Sequence, residues 1–147
     1  MTALSDNLFA LEADLIDRLR EATIGFRTIA SPSIISGSSD VSPLLPAAFV
    51  QPGLGVMPTG EDAYSGTCFD QRWSVFVAVP HWQTDSPDYS ATGRAGPLMS
   101  QVIAALDGWS PDQERREPVL RFLGHSEPNG QLGFVSFELS FQAGLLL

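Results

Sequence analysis

Two histidines, one cysteine and a few paired acids are the residues of this 147-residue chain whose chemistry could do work. His81 and His125 lie far apart, each just past a predicted strand, where a polar edge residue is expected anyway. A zinc site needs three or four ligands at short spacings, and these two histidines with a distant Cys68 do not supply them. Cys68 has no basic neighbour closer than Arg72, so it reads as a small packing residue rather than a thiolate nucleophile. Gly37-Ser38-Ser39-Asp40 is a flexible loop and lacks the Gly-x-Ser-x-Gly elbow of a serine hydrolase. Glu61-Asp62 and the Asp85/Asp88 pair are the right residue types for acid–base work. Nothing in the sequence places them in a cleft, so they read as solvated loops. Gly53-Leu54-Gly55 lacks the further glycine and the Lys-Ser/Thr of a phosphate-binding loop. No catalytic, metal or cofactor residue can be named, and an enzyme is not the expectation.

Composition narrows the partners. Seventeen acids face eight bases, for a formal charge of −9, and every base is arginine. A protein that grips nucleic acid by its phosphates needs a basic stripe. Here the arginines are scattered, and the one adjacent pair, Arg115-Arg116, sits among Asp112, Glu114 and Glu117. Sequence-specific binding of nucleic acid is therefore not expected, although an acidic surface would let DNA pass without sticking. No apolar run approaches the roughly 20 residues of a membrane-spanning helix. The first residues lack the basic and apolar regions of a signal peptide, and a lone cysteine gives no intramolecular disulfide. Assembly in a cytosol is the expectation.

The elements that must position any surface are legible in the periodicities. Leu4, Leu8, Leu11, Leu15 and Leu19 share one face of a helix, with Ser5 as its N-cap, an Asp14–Arg18 pair along it and Gly25 as its stop. A short strand is expected at 26–30, then a Ser/Pro/Gly-rich loop at 31–45. That loop contains Ile34-Ile35, which either touch a partner or lean on the chain's own core. Residues 47–51 form a short buried strand. Residues 72–79 form a stronger one, with Trp73, Val75, Val77 and Val79 on one face. Phe76 and Ala78 make its other face partly apolar too, so it should be central and covered on both sides. A polar loop at 81–96 should lead to a second helix that has Pro97 in its first turn and closes at Asp107-Gly108. A strand at 119–123 follows. Asn129-Gly130 favours a tight hairpin turn, and a closing strand alternates Val135, Phe137, Leu139 and Phe141 against Ser136, Glu138, Ser140 and Gln142. These elements make one domain over 1–147, α+β, with a mixed or antiparallel sheet of about five strands and two main helices.

The ordered signature comprises the helix Ala13-Asp14-Leu15-Ile16-Asp17-Arg18-Leu19-Arg20, the strand Leu45-Pro46-Ala47-Ala48-Phe49-Val50, and the strand Trp73-Ser74-Val75-Phe76-Val77-Ala78-Val79. After these come the helix end Leu106-Asp107-Gly108-Trp109-Ser110-Pro111, the pair Glu127-Pro128 and the closing strand. Over nearly its whole length this resembles the tail terminator proteins of long-tailed bacteriophages. The resemblance implies a structural virion protein, placed in the tail at the head–tail interface and assembled in the host cytoplasm. It further implies a homo-oligomeric ring, a hexamer, that caps the tail tube, ends its polymerisation and meets the head-completion or neck protein, with DNA passing through. No residue role carries over, because the resemblance holds no catalytic motif. The rival readings are a head-completion or neck protein, and a cellular ligand-binding α+β domain whose pocket is lined by Trp73, Trp82, Trp109 and Phe69.

From composition alone, the interface candidates are Asp85, Asp88, Tyr89 and Arg94 on the loop 82–96, since Tyr and Arg are enriched in hot spots. To these are added Glu138 on the second face of the closing strand and the apolar run Leu145, Leu146, Leu147. That run should cover apolar surface, either on its own sheet edge or, with Gly144 letting it turn from its own strand, on a neighbouring subunit.

Overall fold

In the computed structural model the residues described are 9–35, 41–56, 68–81, 90–112, 114, 119–131 and 133–146. They form helix α1 (Leu11–Ala22), strands β1 (Thr28–Ala30), β2 (Ala47–Val56) and β3 (Cys68–Pro80), helix α2 (Ala91–Leu106), and strands β4 (Arg121–His125), β5 (Asn129–Gln131) and β6 (Phe134–Leu146). The fold is α+β. One mixed sheet runs β1-β2-β3-β6-β4, with β5 also paired to β6. Only β1 and β2 run parallel; every other pairing is antiparallel.

Alternation sets the register. Trp73, Val75, Val77 and Val79 of β3 point to the helices and are fully buried, as are Leu139 and Phe141 of β6. In the ladder Trp73 lies opposite Phe141 and Val75 opposite Leu139. A one-residue slip would expose this whole set, which is why the pairing is firmly specified. Leu11, Leu15 and Leu19 of α1 and Ala95, Leu98, Val102, Ala105 and Leu106 of α2 close the layer from above. Sheet and helices thus form a two-layer core.

Several element ends differ from the sequence reading, each for a local reason. α1 stops at Ala22 rather than at Gly25. Thr23 caps it, with its backbone N–H at 3.0 Å and its hydroxyl at 2.6 Å both donating to Leu19 O. Gly25 serves the turn beyond, at φ +99°. Leu4, Leu8 and the Ser5 cap lie outside the described residues. Arg18 does not serve Asp14. Its Nε donates to Ala105 O at 3.0 Å, and its guanidinium lies 5.7 Å from the centre of the Trp109 ring.

α2 begins at Ala91, six residues before Pro97, so Pro97 sits inside the helix and not in its first turn. The cap is Ser90, whose Oγ accepts from Gly93 N–H at 3.1 Å. A serine before a small-residue stretch is a valid start signal. At the other end Asp107 and Gly108 (φ +76°) close the helix as expected.

Asn129-Gly130 is not the hairpin turn. Both residues belong to β5, with Asn129 paired to Ser136 and Gln131 to Phe134. The reversal falls between Gln131 and Phe134, where Gly133 takes φ +86°. A glycine tolerates that conformation at no steric cost. β4 starts two residues later than expected and carries a bulge between Phe122 and Gly124.

Candidate functional site: the helix-free face of the sheet

Among the described residues both α-helices lie on one side of the sheet, so the other side must find its own cover. Part of it does. Ala47, Phe49 and Ala78 are buried there beneath Leu45, and Val41, Leu44, Phe76 and Phe134 pack around them. The segment before β2 thus folds back over the sheet, as a loop leaning on its own core. The side chains of Ile34 and Ile35 are outside what is described.

Beside this patch is an apolar cavity of about 190 Å³, walled by Val41, Leu45, Phe49, Phe76, Ala78 and Phe134. Gln51 and Ser136 are its polar side chains. Farther along the same face the residues turn polar. Ser74 lies opposite Ser140, Arg72 opposite Gln142, and Glu138 opposite Phe76. Ser74 Oγ donates to Glu138 Oε1 at 2.9 Å. Ser126 brackets the same residue: its hydroxyl accepts from Glu138 N–H, and its N–H donates to Glu138 O, both at 2.9 Å. Ser136, Glu138, Ser140 and Gln142 are all half-buried rather than fully exposed. Fixed polar groups beside an apolar hollow make a surface suited to a wet protein interface.

The other candidate residues are not gathered here. Asp85, Asp88 and Tyr89 lie outside the described residues. Arg94 belongs to the first turn of α2, not to a loop, and its Nη2 donates to Pro80 O, tying the helix start to the end of β3. The backbone at Leu145 and Leu146 does not turn away at Gly144. It continues the β6 ladder, opposite Phe69 and Cys68. Leu147 lies outside the described residues. Of the named interface residues whose side chains are described, Arg94 and Glu138, only Glu138 stands on this face. Phe49, Ser74, Phe76 and Ala78 are not among the named interface residues; Phe76 and Ala78 show in the sequence as the partly apolar second face of β3, whereas Phe49 of β2 joins them only through the sheet register.

A second polar surface runs along α1, where Asp14, Asp17, Arg18 and Glu21 border a groove with Trp109 and Pro111. Burial, and then the neighbouring charge of Asp17, raise the Asp14 carboxyl above its ordinary pKa. Trp73 does not border that groove. It is fully buried on the helix side, in edge-to-face contact with Phe9 at 6.4 Å. The structure therefore does not bring Trp73 and Trp109 into one ligand pocket. His81 and His125 are both exposed, and among the described residues no three His, Cys, Asp or Glu side chains gather as metal ligands. No helix among the described residues is long and apolar enough to cross a membrane.

A family model described as "Phage tail terminator protein" matches residues 4–147, nearly the whole chain. No curated protein matches the chain significantly.

Proposed function

We infer that this chain, which belongs to the phage tail terminator family, forms the ring that caps a tail tube. Membership makes it a structural component of a phage tail. The finer role is that the ring stops tube polymerisation and offers its far side to the head-completion or neck protein. The observation that supports it is the helix-free sheet face. A monomer that needed only to fold would leave that face evenly polar, whereas here half-buried polar residues adjoin an apolar hollow. Such a surface suits a partner.

The charge fits a conduit. Six copies at −9 each would carry about −54, which repels the phosphate backbone and favours sliding over sticking. The ring is assembled in the host cytoplasm and remains in the virion at the head–tail interface.

Two measurements test the role together. Tail tubes polymerised with the purified protein should stop at a fixed length and show a ring at one end in negative-stain images. Tubes grown without it should overrun. A different component at the upper end of intact tails, or tubes whose length ignores this protein, would overturn the reading.

A further inference from the structure

One large apolar side chain is held out in water with unusual firmness. Ile24 is 81% exposed, the most exposed of the large hydrophobic residues described. The turn that carries it is pinned on every side. Thr23, just before it, is buried and bonded twice to Leu19 O. The Ile24 N–H donates to Gln101 Oε1 of α2 at 2.8 Å. Gly25, just after it, takes φ +99° and lies so close to α2 that a Cβ there would come within 3.0 Å of Leu98 Cδ2. A flexible turn could fold an isoleucine back onto the core; this one cannot. A preorganised apolar knob is what a binding contact uses, because little conformational freedom is lost on docking.

We propose that Ile24 of one copy enters the apolar cavity on the helix-free face of a second copy, the contact that joins neighbours in the ring. The hollow between Phe49, Phe76 and Phe134 is large enough for a branched aliphatic side chain. Charge favours the same pairing. Arg20 and Arg27 share one concave surface with Thr23 and Phe26, next to the turn that carries Ile24. Each is exposed and gives one bond to its own chain: Arg20 Nη2 to Ile29 O at 2.9 Å, and Arg27 Nη1 to Pro43 O at 3.2 Å. A guanidinium has five N–H donors, so several remain. At the cavity, Glu138 stands directly across the ladder from Phe76. Two guanidinium groups near the knob thus meet a carboxylate beside the hole.

The geometry also sets the symmetry. The knob rests against α2, in the helix layer, while the cavity opens on the opposite face of the sheet. A chain cannot fill its own cavity with its own Ile24. Unless two copies exchange knobs reciprocally, a contact between two different surfaces is heterologous, and it closes as a ring when the rotation between neighbours closes.

The contact rests on the ring reading above, and cross-linking separates the two. In a Cys68→Ser background, Ile24→Cys and Ser136→Cys variants are mixed, free at high concentration and on tail tubes, and then oxidised. The expected product is a mixed disulfide dimer in excess of either homodimer. Arg20→Glu with Arg27→Glu in the knob partner should lower its yield about tenfold, and Glu138→Arg in the cavity partner should restore part of it. Ile24→Asp in the otherwise unchanged chain should keep the melting temperature, since the side chain is in water, yet fail to close rings. Should Ser136→Cys fold poorly, Gln51→Cys takes its place at the cavity. Rings on tubes without the mixed dimer would overturn this contact and leave the ring standing. A mixed dimer without rings would overturn the ring and leave the contact. Equal homodimers, or rings formed by Ile24→Asp, would overturn the contact outright.

Discussion

The two faces of one sheet obey different rules. Toward the helices, β3 buries every alternate residue from Gln71 to Val79. Away from them, the same strand shows an exposed Arg72, half-buried Ser74 and Phe76, and a buried Ala78. The first face is a packed core, in which position along the strand hardly matters. The second grades from polar to apolar along its length, and its apolar end is covered by residues 41–45. A uniform face holds a monomer together. A graded one leaves part of its surface for another molecule.

The largest effects should come from the uniform face. Phe141 is fully buried and packs against Phe122 with ring centres 5.4 Å apart. Phe141→Ala should cost about 3–5 kcal/mol in urea denaturation, as large core truncations do. That is a large part of the roughly 5–15 kcal/mol that keeps a domain folded. A loss under about 1 kcal/mol would mean that the helix-covered face is not the main core.

Phe76→Ala removes the same atoms from the other face. Phe76 is only half-buried, so the monomer should lose about 1–2 kcal/mol, part of the value of a fully buried side chain. The larger consequence should appear in assembly, as fewer capped tubes in negative-stain counts. A stability loss equal to that of Phe141→Ala, with tubes capped normally, would erase the distinction between the faces.

Glu138→Arg should change the monomer by about 1 kcal/mol at most, since it removes one hydrogen bond from Ser74. Capping of tubes should nonetheless fall sharply. If neither stability nor capping changes, the polar end of the second face is merely solvated.

The helix-covered face could be read from the sequence, because it rests on period. Trp73-Val75-Val77-Val79 and Val135-Phe137-Leu139-Phe141 alternate strictly, and so do their buried positions. Where the reading rested on a single punctuating residue, it slipped. The sequence points to Pro97 as the helix start and to Asn129-Gly130 as the turn, whereas the helix is capped by Ser90 and the turn lies at Gly133. Each is a strong local preference that the long β6 ladder or the α2 packing overrode. The second face was half legible. Phe76 and Ala78 announced that it was partly apolar, but only the fold brings Leu45 and Phe134 beside them. Ile24 gave no signal in the sequence. Its exposure depends on Gln101 and Leu98, far along the chain, holding its turn in place.

The smallest expected effect lies outside the sheet and tests whether α1's outer surface resembles the graded face or is plain solvent surface. Asp14 and Asp17 are three apart on one side of the helix, where like charges repel. Burial first, and then Asp17, push the Asp14 carboxyl up from its ordinary value of 3.8. The folded chain therefore keeps that proton to a higher pH than the unfolded chain does. Stability should fall as pH rises from 3.8 through the folded value, with the cost fully present at neutral pH. Asp14→Asn should thus stabilise the monomer at pH 7 by about 0.2–0.5 kcal/mol, the size of one such helix pair. The gain should fade as acid protonates the native carboxylate. Urea denaturation at neutral and acidic pH reads both arms. Because Arg18 is engaged with Ala105 and Trp109, no attractive pair is expected to offset the gain. If Asp14→Asn destabilises the chain at pH 7, then Asp14 draws on Arg18 after all, and the outer surface of α1 holds itself together without a partner.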